Sequence, residues 1–250
     1  MEKLNNPPLV NVTYGIWWHL YELEEQKQSK HLAGDIYPHI SNDYPVRTIE
    51  KVIIKPTSTI KQQTITTFKK ENNNNFLINL ANDELEIIEQ EETNYTWDTF
   101  KQEVQKILNK LEATLHSLDI KPNHYHLYIK YVNFIKFSGN SKDLLNFIND
   151  SLSIKIQQNF DDEINKIKQF QFYYEYDFGR NSSIIVQIFQ GKKDKENGIY
   201  VNIEAQSGKE GRINSDKQQM EQIISWNEDA HEKCESIFKE IFSPIFSTFE

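Results

Sequence analysis

Glu228, His231, Glu232 and Glu235 stand at spacings of three and four residues, so a helix through them puts carboxylates and an imidazole on one stripe. Glu-x-x-His is the spacing by which side chains of one helix can share a metal ion. A carboxylate-bridged centre draws matching ligands from other helices, and no second Glu-x-x-His occurs in the chain. The competing reading is a polar helix face with His231 hydrogen-bonded to a neighbour. Glu228, His231 and Glu232 are thus the candidate metal ligands of an alternative function, a metal-dependent enzyme or effector.

His124 and His126 form a His-x-His pair, which on a strand sends both rings to one face and ligates a metal if a third ligand arrives. His116 is the nearest candidate in sequence. Structural or solvent-exposed histidines are the ordinary alternative. Glu175 and Asp177 share a strand face, but a catalytic dyad needs a cleft that isolates it from water. Asp161, Asp162 and Glu163 read as ordinary acids in a polar linker, and Ser207 to Gly211 as a strand-to-helix turn without the spacing of a phosphate loop. No nucleophile elbow or zinc-protease helix is present in the sequence. No catalytic residue is assigned and no cofactor is expected.

The elements that position these residues read clearly in places. Tyr125 to Phe137 alternates at strand period, with Leu127, Ile129, Tyr131, Ile135 and Phe137 on one face and His126, Tyr128, Lys130, Phe134 and Lys136 on the other. Asn133 interrupts the apolar face, as a satisfied core amide or as the floor of a pocket. Upstream, Leu9 to Leu20 is a strand in which Trp17 sits on the polar face. Tyr21 to Ser41 reads as a surface connection, with a short solvated helix in ELEEQKQSK and breaks at Gly34 and Pro38. Four short strands follow over 48–55, 64–70, 75–81 and 84–91, then an amphipathic helix from Trp97 to Leu118. After the central strand come a short helix over 142–152 and strands over 169–178, 183–190 and 199–206. A charged loop over 191–198 joins the last two, and a helix beginning at Ser215 or Asp216 closes the chain.

The two halves therefore repeat one order: long strand, short connection, meander, long helix. The predicted class is α+β, in two similar halves over 1–120 and 121–250. Each is a curved antiparallel meander with one long amphipathic helix packed on it, and together they make one continuous globular unit. The sheets either join edge to edge or pack as neighbours, with both helices on one side.

Composition bounds the function. The 250 residues carry a formal net charge of −9, which argues against a general nucleic-acid binder, because phosphate contacts need clustered Lys and Arg. The single cysteine, Cys234, can form neither an internal disulfide nor a thiolate zinc cage and suits a reducing compartment. No stretch has the length and apolar character of a membrane span, so the expectation is a soluble, cytoplasmic protein with no membrane or nucleic-acid partner.

The segments NNPPLVNVTYGI, YTWDTF, KYVNFI and SWNEDAHEKCESIF, in that order, resemble a sporadically distributed, uncharacterised prokaryotic family of about this length. Its members likewise have a Pro-Pro opening strand, an Arg-Tyr-Ile-Asn-like central strand and a Trp-x-x-x-Ala-His-Glu terminal helix. Here Lys130 stands where Arg is usual, and Asn11 where an acidic residue is common. The resemblance implies an architecture and no chemistry; its sporadic distribution is compatible with a component of a mobile or defence-associated system.

The leading expectation is a non-enzymatic binding or interaction protein with an unknown protein or small-molecule partner. If the halves meet at the central strand, Trp17, His19, Tyr128, Lys130 and Asn133 become the candidate ligand- or partner-binding group. Trp17 and Tyr128 would offer flat apolar surface, Lys130 a charge and Asn133 an orienting amide. The alternative is that they lie on different faces and serve packing.

Overall fold

A computed structural model describes residues 8–20, 29–54, 61–71, 73–90, 95–122, 124–137, 144–155, 170–179, 181–208 and 219–249. Most of the helix expected in ELEEQKQSK (residues 22–28 of 22–30), the carboxylates at 161–163 and the start of the last helix before 219 lie outside them.

Nine strands form one sheet: β1 (Leu9–His19), β2 (Val46–Ile54), β3 (Lys61–Lys70), β4 (Asn73–Leu80), β5 (Glu84–Gln90), β6 (His124–Lys136), β7 (Gln171–Phe178), β8 (Ser182–Lys193) and β9 (Glu196–Ser207). Their order is β2-β3-β4-β5-β1-β6-β9-β8-β7, with every neighbouring pair antiparallel. The class is α+β, and of the two arrangements open to the sequence, edge-to-edge joining is the one observed. The seam is β1 against β6, in register from Asn11 opposite Val132 to His19 opposite His124. The run β2 to β5 returns to pair with β1, and the run β7 to β9 returns to pair with β6.

Alternation splits the sheet into two unlike faces. On one, Val12, Tyr14, Ile16, Trp18, Ile78, Leu80, Ile87, Leu127, Ile129, Val186 and Ile203 are all buried. Four described helices cover that face: α1 (Leu32–Ile40), α2 (Trp97–Ser117), α3 (Leu144–Ser151) and α4 (Gln219–Phe242). Tyr37 of α1 stacks on Phe68, Phe100 of α2 packs on Phe76, Phe147 of α3 on Phe137, and Trp226 of α4 donates its indole N–H to Ser182 Oγ at 3.1 Å. At the α2 amino end the Thr96 hydroxyl accepts from the Thr99 amide at 3.3 Å, satisfying one of the unpaired first-turn donors.

Two connections differ from the sequence reading. The segment read as a surface connection contains α1, whose Leu32, Ile36 and Ile40 recur every four residues and are buried. Pro38 lies in its last turn and leaves the Gly34 carbonyl without the amide donor a helix would supply, a cost of one hydrogen bond that the three buried side chains offset. The loop expected over 191–198 is instead paired strand, Gly191 opposite Gly198, closing in a tight turn at Asp194 and Lys195. Both turn residues have positive φ, 49° and 72°, the backbone of a two-residue hairpin. The glycines are there for space: a Cβ at Gly191 would overlap the Tyr200 ring and one at Gly198 the Phe134 ring.

Candidate functional site

Strand parity places Gly15, Trp17 and His19 of β1 and His124, His126, Tyr128 and Lys130 of β6 on the face opposite the four helices. Antiparallel register then sets neighbours: Gly15 faces Tyr128, Trp17 faces His126, and His19 faces His124. Trp17 is 39% exposed, and its ring centroid lies 5.0 Å from that of Tyr128. The Tyr128 ring lies across Gly15, where any Cβ would overlap it, and its hydroxyl donates to Glu86 Oε1 at 2.5 Å. Burial, with the neighbouring Glu86 carboxylate, raises the Tyr128 phenol, so it remains a donor at any ordinary pH. Lys130 pairs with Glu204 of β9 at 3.6 Å.

Four of the five predicted binding residues, Trp17, His19, Tyr128 and Lys130, therefore share one face. Asn133 does not. Its odd position puts it on the helix side, 1% exposed, with Nδ2 donating to the Val201 carbonyl at 3.1 Å. It is a satisfied core amide, and the cleft that was to include it is replaced by an open sheet surface.

That surface is acidic. Glu84 and Glu86 lie beside Trp17 and Gly15 on β5, Glu204 flanks Lys130, and Glu175 and Asp177 are exposed on β7. Burial raises the Glu84 carboxyl, the Trp17 indole opposes the rise by donating to it, and the Glu86 and Asp83 charges add to it.

The predicted metal set on the last helix is not assembled. Glu228 accepts from the Trp97 indole at 2.9 Å and from Lys101 Nζ at 2.5 Å, tying α4 to α2. His231 stacks on Trp97 with centroids 4.1 Å apart and engages the Tyr131 hydroxyl through Nδ1 at 2.8 Å. Glu232 is exposed on another side of α4. These are packing contacts, because helix periodicity gave the stripe without saying that it faced the other long helix. Cys234 beside them is buried and its thiol is pushed up to about 12, too basic for a nucleophile.

Burial pushes His231 down to about 4, against the opposing pull of Glu235 and Glu228. The unfolded chain, with an imidazole near pH 6.5, then binds the proton more readily than the folded one. Stability is full above about pH 6.5 and falls as pH drops toward 4, by up to about 3 kcal/mol from this group. Chemical denaturation across this range should show a steeper loss for the native protein than for His231→Gln; parallel curves would contradict the assignment.

His124 and His126 do share a face, but the third histidine is His19 and not His116, which is exposed at the end of α2. The donor nitrogens of His19, His124 and His126 all lie within 4.8 Å of one another. Their ring centroids are 4.5, 5.7 and 5.4 Å apart. No protein-family model matches the chain, and no characterised protein matches it significantly. Among the described residues no helix is long and apolar enough to cross a membrane.

Proposed function

We propose that this is a non-enzymatic binding protein whose open sheet face, around Trp17 and Tyr128, docks a protein segment presenting basic and aromatic side chains. The observation that carries the reading is Trp17, 39% exposed near the end of β1, the fifth of the nine strands in the sheet, and lying against the buried Tyr128 ring. A large aromatic at the centre of an interface is a usual anchor. Charge selects the partner's character. Glu84, Glu86, Glu175, Asp177 and Glu204 outnumber Lys130 and Lys136, which pair with Glu204 and Glu196, so a basic segment is favoured and duplex DNA is disfavoured.

The two-half organisation supports a second part of the reading, an origin by duplication. Each half runs strand, short helix, meander, long helix, and each meander folds back on its first strand; β2 has no counterpart among the described strands of the second half. The seam between halves then supplies the face from both copies. A role in a mobile or defence-associated system rests on the family resemblance alone. Capture of a partner that depends on Trp17 and on the acidic β7 side chains is the test of the binding reading.

A further inference from the structure

We propose that His19, His124 and His126 form a three-histidine site for a divalent transition metal of the zinc class. The site adjoins the docking surface, with His126 opposite Trp17, but metal binding needs no docked partner and is tested separately from it. Three imidazoles come from two adjacent strands by register alone: His19 directly opposite His124, and His126 two residues along on the same face. A tetrahedral centre with metal–nitrogen bonds of about 2.0–2.1 Å would hold three imidazole centroids about 5 Å apart. The observed separations, 4.5, 5.4 and 5.7 Å, bracket that value.

The donor atoms, up to 4.8 Å apart, must close to about 3.3 Å around one ion. Rotation of imidazole rings supplies that movement, and His19, exposed at the end of β1, has the room for it. His124 is buried and His126 half-buried, so the two-residue β6 pair is the fixed part of the site. Nitrogen-only donors select borderline ions such as Zn2+, Co2+, Ni2+ and Cu2+ over Mg2+ or Ca2+. Three protein donors leave a fourth position, which water or a partner's side chain would fill. The acidic groups on β5, Glu84 and Glu86, favour cation approach to this end of the face.

Equilibrium dialysis of the full chain against Zn2+, with metal content read by mass spectrometry, should give one ion per chain. His19→Ala should weaken that binding by about a hundredfold or more, since loss of even outer-shell partners costs 10- to 100-fold. His39→Ala, at an exposed position in α1, should bind as the native protein does. Because His19 is exposed, its variant should keep the native melting curve measured without metal. Co2+ provides the second readout: the native protein should show the intense visible bands of tetrahedral nitrogen coordination. Zn2+ binding unchanged in His19→Ala, absence of stoichiometric binding, or Co2+ bands of an octahedral aquo ion would each overturn the site.

Discussion

Ile129→Asp should abolish cooperative folding at neutral pH, whereas Lys130→Glu, one residue away, should cost only about 1 kcal/mol, the scale of a surface ion pair. Ile129 is fully buried at the seam, opposite Tyr14 on β1 and Ala205 on β9. Truncating such a side chain costs about 2–5 kcal/mol, and a carboxylate without a partner adds several more, against a typical total stability of about 5–15 kcal/mol. Lys130 points to the open face, where its exchange loses a pair with Glu204 and adds a local repulsion. Urea unfolding followed by circular dichroism reads both. A native-like transition for Ile129→Asp would mean that the seam is not the centre of the core.

The second large effect is expected at Gly15, whose backbone suits any residue but whose missing side chain is the space the Tyr128 ring fills. Gly15→Ala should expel the ring, break its hydrogen bond to Glu86 and cost about 1–3 kcal/mol, as overpacking does. The decisive measurement is the cycle with Tyr128→Ser. Once the ring is gone, the added methyl has nothing to strike, so the double variant should be about as stable as Tyr128→Ser alone. Additive losses would place the cost of Gly15→Ala elsewhere.

These residues also mark how far the sequence could be read. Alternation along 125–137 assigned each β6 side chain to a face, and the parity that buries Ile129 also buries Asn133, in keeping with its reading as a satisfied core amide and not with its place in a cleft. The partner of β6 was another matter. His19 and His124 are more than a hundred residues apart in sequence, and nothing local to either says that β1 and β6 are neighbours or which residues stand opposite. Hence His116, close in sequence, stood in for His19. Gly191 and Gly198 read as loop residues because a glycine's need for space under a neighbouring ring looks, in sequence, like its need for turn freedom. Gly34 and Pro38 likewise outweighed the four-residue spacing of Leu32, Ile36 and Ile40. For the Glu228–His231 stripe, chemistry was legible and direction was not, since the stripe's partners, Trp97 and Lys101, sit on a separate helix.

The proposed binding of a basic, aromatic-bearing protein segment on the open sheet face is tested by affinity capture with matched variants. Native protein immobilised through its carboxyl end should retain a partner that elutes as salt rises, because acidic side chains help to hold it. Trp17→Ala should weaken retention by about 2 kcal/mol or more, the scale of an aromatic anchor, and Glu175→Lys with Asp177→Lys should weaken it further. Lys233→Glu, exposed on α4 on the other side of the molecule, should retain the partner fully. All variants should remain folded with the native circular-dichroism spectrum, Trp17→Ala melting somewhat lower for the loss of its packing on Tyr128. A partner held undiminished by the Trp17 and β7 variants, or lost on Lys233→Glu, would contradict the account and move the binding surface to the helices.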